Sequence, residues 1–168
     1  MTSISMGESK AATFAEIYNA HSRGVYRFAL YLCGDAATAQ DITSEAFLRI
    51  WMSGEPVRAV SVKLYLFVIA RNLYLHQLRR TKRQESLDDN LAEPCTLESA
   101  AESKQQLART IKAMAMLPEL DRSALLLRTI HSLPYEEIAA ILGITIAAAK
   151  VKVHRAKLLL GAAEHVNA

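Results

Sequence analysis

Apolar residues recur along this chain at helical spacing, with no sustained alternation, so the pattern predicts helices throughout. A first helix is expected over Ala11–Cys33, through Phe14, Ile17, Tyr18, Val25, Phe28, Ala29 and Leu32. Gly34-Asp35 ends it, with glycine placed to cap the C-terminus, and the polar residues 1–10 ahead of it are expected to fray. A second helix, Ala37–Met52, turns Ile42, Ala46 and Ile50 inward, while Asp41, Glu45, Leu48 and Met52 line up on a different face. That stripe of two acids and two large apolar residues suits a partner helix bearing basic groups. Spacing alone equally allows solvated acids beside two core residues. Gly54-Glu55-Pro56 breaks the chain, and a short loop to Val62 leads onward.

The next stretch, Leu64–Arg83, is apolar over most of its circumference. Leu64, Val68, Leu75 and Leu78 share one side, and Leu66, Ile69 and Leu73 another, which predicts a central helix covered on both. One narrow stripe stays polar: Tyr65, Asn72, His76, Arg79 and Arg83, within roughly 60° of each other. An aromatic, an amide, an imidazole and two guanidiniums in a row suit a strand of nucleic acid, although an ordinary solvated face has the same make-up. Three helices with short connections predict a small bundle over residues 11–83.

Composition then shifts. Glu85, Asp88, Asp89, Glu93, Glu98 and Glu102 appear with no lysine or arginine between Gln84 and Ser103, and Pro94 lies among them. Residues 84–96 are therefore expected to be an acidic, flexible linker, and residues 97–165 a second helical domain. In it, Leu107, Ile111, Met114 and Leu117 mark one helix stopped by Pro118, and Glu119–His131 a second with Leu120, Ala124, Leu127 and Ile130 inward. Pro134 is placed to start a third, Tyr135–Leu142. Gly143 permits a turn, Thr145 can cap a longer helix, and Ala139 is small where that helix crosses. Ile138, Leu142, Ile144, Ala149, Val153 and Ala156 would form the shared core of this helix-turn-helix. Its outer face carries Ala147, Val151 and His154, flanked by Lys150, Arg155 and Lys157. The cations suit phosphates. Ala147 and Val151 can touch a thymine methyl but make no bidentate contact to a base edge, so shape and phosphates are expected to carry more of the recognition.

The fold class is all-α: two small helical domains, the second a helix-turn-helix. Few aromatics and many Ala and Leu agree with that. A net charge of +3 does not by itself imply a polyanionic partner; its distribution matters more. The two cysteines, Cys33 and Cys95, belong to no metal-ligand spacing and are expected to be reduced thiols, with a redox role for Cys95 the minor alternative. No metal or cofactor is expected. The N-terminus lacks the pattern of a signal peptide, and the longest apolar stretch, around Ile138–Ala149, is well short of the ~18 residues of a membrane span, so a cytoplasmic protein with no membrane insertion is expected. No nucleophile–base pair, paired carboxylates or phosphate loop suggests an enzyme.

Three segments in order, DITSEAFLRIW, YLFVIARNLYLHQLRR and LPELDRSALLLRTIHSLPYEEIAAILGITIAAAKVKVHRAK, resemble the extracytoplasmic-function (ECF) sigma factors of bacterial RNA polymerase. The resemblance spans about Phe14 to Leu160. It implies two helical domains, and core polymerase, through the β′ clamp helices and the β flap, as the principal partner. Asp41, Glu45, Leu48 and Met52 then become clamp contacts. Lys63, Tyr65, Asn72, His76, Arg79, Arg80 and Arg83 become the groups that melt and hold the minus-ten element, with the loop Glu55–Val62 helping to select a flipped base. Ala147, Lys150, Val151, His154, Arg155 and Lys157 become the minus-thirty-five face. Bases would stack on Tyr65 and be held by Asn72 and His76 while the arginines follow phosphates. The family also implies an anti-sigma factor as partner. Three positions depart from its usual pattern: Tyr65 stands where Trp is frequent, His76 where Asp is common, and AAAKVK where a Gly-Thr-Val-Lys-Ser-Arg type of sequence is usual. The last change keeps alive a sigma-like decoy that titrates an anti-sigma factor without initiating transcription. A dimeric helix-turn-helix repressor would leave the stripe on the central helix unexplained. Free of polymerase, mobile domains are expected to leave the two DNA sites unaligned.

Overall fold

Gly34 turns the chain between its first two helices at φ +73°, its N–H bonded to Leu30 O at 2.8 Å. A Cβ there would come within 3.2 Å of the Ile111 side chain, so the position needs glycine for conformation and for space. Asp35 then caps the second helix: its Oδ2 accepts from the Thr38 backbone N–H at 2.8 Å and from Thr38 Oγ1 at 2.6 Å. These two bonds hold the Asp35 carboxyl below its ordinary pKa.

The computed structural model describes residues 4–53, 59–85 and 101–166, with side chains over 13–53, 62–84 and 103–162. Among these are seven helices and no strand: α1 Ile4–Cys33, α2 Ala36–Ser53, α3 Ala59–Glu85, α4 Ala101–Ala115, α5 Glu119–Thr129, α6 Tyr135–Leu142 and α7 Ile146–Val166. The fold is all-α, as the periodicity predicted. Two boundaries differ from expectation by more than two residues. Helix α1 begins at Ile4 rather than Ala11, through residues with no apolar pattern to announce them. Helix α3 begins at Ala59, so the last part of the expected Glu55–Val62 loop is helical. Residues 55–58 of that loop, the linker from 86 to 100 and Cys95 lie outside the described residues. Cys33 is a free thiol, half-buried, and burial raises its pKa.

Helices α1, α2 and α3 pack against one another, as do α5, α6 and α7. Ile42, Ala46 and Ile50 of α2 are buried, as are Leu66 and Ile69 of α3, while Leu64, Val68, Leu73, Leu75 and Leu78 pack half-buried around that core. In the second half α5 is the central element, buried without interruption from Asp121 to Leu127. Gly143 adopts φ +65° at the end of α6, and Thr145 Oγ1 accepts from the Ala148 N–H at 3.1 Å at the start of α7. Ile138, Ala139, Leu142, Ala149, Val153 and Ala156 are buried between the two helices, so the helix-turn-helix closes on its expected core.

The halves do not stand apart. Helix α1 packs on α4 and α5, α3 packs on α6, and the buried apolar residues of both halves form one core. Phe28 of α1 meets Phe67 of α3 edge-on at 5.1 Å, and the ring of His131, just after α5, lies 4.6 Å from Phe67 and 6.1 Å from Phe28. Beside this cluster Arg71 of α3 makes a two-pronged ion pair with Glu119 of α5, at 2.8 and 3.0 Å, and Ser123 Oγ donates to the same carboxylate at 2.8 Å. Arg122 Nη2 donates to Tyr74 Oη at 2.8 Å. In place of the expected mobile domains, the halves close on an apolar and ionic seam.

The turn delivering His131 carries backbone strain. Ser132 is left-handed at φ 53°, with no glycine to relieve it, while Leu133 N–H bonds Leu127 O at 3.1 Å. Ser132→Gly is expected to raise stability by about 0.5–1 kcal/mol, read as a higher urea midpoint at unchanged slope. A lower midpoint would show that the serine side chain matters more than its backbone conformation.

Candidate polymerase and nucleic-acid surfaces

Three exposed faces remain once the core is formed. On α2, Asp41, Leu48 and Met52 are exposed, the two apolar side chains to 49% and 73%, with Glu45 half-exposed between them. Of the two readings left by spacing, exposure removes the one in which Leu48 and Met52 are core. Glu45 accepts from Arg49 Nε at 3.1 Å within the helix. A solvated pair of this kind is worth only ~0.3–0.5 kcal/mol, so the carboxylate exchanges readily for another cation.

On α3 the polar stripe stands clear. Tyr65 is 45% exposed, and Asn72, His76, Arg79, Arg80 and Arg83 are all exposed, on a helix whose other sides are covered as far as Leu78. A stacking ring is followed along one line by amide, imidazole and guanidinium groups. That sequence of groups fits an unpaired strand, whose bases offer π faces and whose phosphates offer charge. Lys63 is a correction. It lies two residues before Tyr65, hence on nearly the opposite side of a helix. It lines a cavity of about 320 Å³ with His21, Gly24, Phe67 and His131. Its charge acts on the seam, where it helps lower the pKa of His131.

On α7 the outer face is exposed at Ala147, Lys150, Val151, His154, Arg155 and Lys157, as expected. Three cations on and beside it, Arg155, Lys152 and Lys150, have internal partners. Arg155 Nε donates to Asp121 Oδ2 at 2.8 Å, Arg155 Nη2 approaches the same oxygen at 2.6 Å, and Lys152 Nζ stands 3.4 Å from Oδ1. The Asp121 side chain is fully buried. Lys150 Nζ lies 5.8 Å from the Tyr135 ring centroid. Arg155 therefore works from a fixed position on the flank rather than as a freely swinging phosphate ligand.

Sequence reasoning missed Asp121, Glu119, Arg122, Arg71 and His131. Asp121 and Arg122 sit inside LPELDRSALLL, where a charged pair among apolar neighbours was the available signal. Their partners lie 31, 34 and 48 residues away, beyond any local periodicity. No group of metal-binding side chains occurs among the described residues, and none of their helices is long and apolar enough to cross a membrane.

Two helical halves, one with an acidic–apolar face and a cationic aromatic stripe, the other a helix-turn-helix, define a protein of the sigma-70 class. Residues 17–84 match Sigma-70 region 2 and residues 107–160 match Sigma-70, region 4. The ECF RNA polymerase sigma factor SigM of Bacillus subtilis is 30% identical over 153 residues, covering 89% of this chain and 94% of that protein. The ECF RNA polymerase sigma factor SigE of Mycolicibacterium smegmatis is 31% identical over 148 residues, 84% of this chain, which spans 58% of that relative's length. Among solved structures, the sigma factor RpoE in complex with the anti-sigma factor NepR from Bartonella quintana superposes with a TM-score of 0.79 at 26% identity, over 93% of this chain and 99% of that one. The chain belongs to the ECF sigma factor family.

Proposed function

We propose that this protein acts in the cytoplasm as a transcription initiation factor, binding core RNA polymerase and directing it to promoters, with no catalytic chemistry of its own. The observation that carries the reading is the α3 stripe: a helix covered on its other sides as far as Leu78 leaves Tyr65, Asn72, His76, Arg79 and Arg83 exposed in one line, with Arg80 exposed beside it. In the open promoter, non-template bases of the minus-ten element stack on Tyr65 and bond Asn72 and His76, while the arginines follow the backbone. Preferential binding of the single strand draws the melting equilibrium forward without nucleotide hydrolysis. The α2 face of Asp41, Glu45, Leu48 and Met52 docks on the β′ clamp helices, and α7 lies in the major groove of the minus-thirty-five element near the β flap. An anti-sigma factor is the expected regulator. The similarity to a sigma factor crystallised with one supports this, since the superposition takes in both halves of the chain. Docking on polymerase separates the halves, breaking the Arg71–Glu119 and Arg122–Tyr74 contacts and setting the spacing of the two DNA faces.

The test is transcription by core polymerase plus the purified chain, from duplex and pre-melted promoters. Initiation on both is expected. Failure on both, alongside tight anti-sigma binding, would leave the decoy reading, which the apolar centre of α7 favours. Promoter binding without polymerase would favour a repressor. A narrower expectation concerns the clamp face. Asp41→Ala with Glu45→Ala should weaken core affinity by about ten-fold or more, the order expected for losing two interfacial charges, with an unchanged unfolding midpoint. Unaltered core affinity would remove the clamp assignment.

A further inference from the structure

The face of α7 has an unusual division of labour. Ala147, Val151, His154 and Leu158 fall within roughly 60° of one another on a helix, and all four are exposed, Val151 to 62%. Three of the four cations around this face have partners within the protein, and the fourth, Lys157, lies well to its side. Arg155 and Lys152 converge on the buried carboxylate of Asp121, and Lys150 leans on the Tyr135 ring. Arginine and lysine read guanine through O6 and N7, and a guanidinium tied to an internal carboxylate has surrendered the geometry for that contact. What remains at the N-terminal, groove-entering part of the helix is hydrocarbon: the methyl of Ala147 and the two methyls of Val151.

We propose that base choice by α7 is made through the 5-methyl group of thymine. Val151 is the specificity-determining residue and Ala147 its neighbour, while Asp121 is a positioning residue that keeps Arg155 and Lys152 on the phosphate flank and off the base edges. The inference rests on the reading of α7 as the duplex-reading helix and adds the chemistry by which it reads. A hydrocarbon surface cannot tell donor from acceptor. In the major groove it can distinguish thymine from the other three bases, because only thymine presents a methyl group there. The discrimination per methyl is modest, about four-fold, as expected for burying one such group.

The experiment uses the full chain bound to core polymerase. Duplexes are selected from a library randomised only upstream of a fixed, functional minus-ten element. The best binder is then resynthesised with deoxyuridine for each upstream thymidine in turn, and with 5-methylcytosine for cytosine at the same positions. Enrichment of thymine is expected, with about a four-fold loss at one or two positions on removal of the methyl group and a gain where 5-methylcytosine restores it. In Val151→Ala the thymine–uracil ratio should fall toward one. An effect of methyl groups on DNA shape would persist in that variant and would overturn the assignment. In Asp121→Asn, Arg155 is released and the selected sequences should shift toward guanine, a change that loss of folding would not produce. Equal binding of thymine and uracil templates, or guanine enrichment by the unaltered protein, refutes the proposal while leaving the sigma reading in place. A holoenzyme that initiates on no template refutes both.

Discussion

Phe67→Ala is expected to destabilise the protein by about 3–5 kcal/mol, the range for truncating a buried aromatic side chain. That is a large share of the ~5–15 kcal/mol by which domains of this kind are held folded. Phe67 is 2% exposed and sits where both halves meet. Its ring receives Phe28 edge-on from α1 and His131 from the α5–α6 turn, at 5.1 and 4.6 Å. Truncation leaves a void lined by two rings that belong to different segments, α1 and the α5–α6 turn, and cannot both collapse into it. The urea midpoint should fall sharply, and Phe67→Leu should recover much of the loss because it refills most of the volume. An alanine variant within ~1 kcal/mol of the parent would show that the seam between the halves contributes little, and that α1 with α3 suffices without it.

The same cluster shows where the sequence was legible and where it was not. The helices announced themselves because each buries one face, and burial at helical spacing is a local property. Gly143, Thr145 and the small residue Ala139 could be placed in a helix-turn-helix because cap, turn and crossing occupy consecutive positions. The exposed stripe on α3 was likewise visible, since five polar groups on an apolar helix stand out. The seam was not. Arg71 lies one residue before Asn72 and reads as another cation of the same helix, yet it turns inward to Glu119 across 48 residues of chain. Lys63, grouped with the minus-ten residues by the family resemblance alone, lies on the other side of the helix from Tyr65 and lines the cavity beside His131. Asp121 belongs to a helix buried over seven consecutive residues, where periodicity has no contrast to report.

Acid should loosen the seam through His131. Burial first, and then the charges of Lys63 and Arg27, lower its pKa from 6.5 to about 4. Its Nε2 is buried without a hydrogen-bond partner, so the neutral ring has nothing there to replace water when it takes a proton. The groups facing it from the neighbouring helices, Lys63 of α3 and Arg27 and His21 of α1, bear or can acquire positive charge. Between pH 6.5 and about 4 the unfolded chain binds a proton at this position that the folded chain does not. Stability is therefore fully present above pH 6.5 and falls as the pH drops through that window. A shift of this size corresponds to about 3 kcal/mol if fully realised. The ring is partly exposed, and solvent screening reduces the expected loss to roughly 1–2 kcal/mol. His21, lowered by burial and by Lys63, contributes with the same sign. Asp35 also has a lowered pKa, but its window begins at 3.8 and does not overlap. Urea midpoints measured from about pH 7.5 down to pH 4.5 should decline in the parent protein and decline much less in His131→Leu, which keeps the apolar contact with Phe28 and Phe67 and removes the titrating group. Parallel declines in the two proteins would place the acid sensitivity elsewhere. With the expected outcome, protonation of one residue opposes closure of the halves, the same direction as the separation proposed above for docking on polymerase.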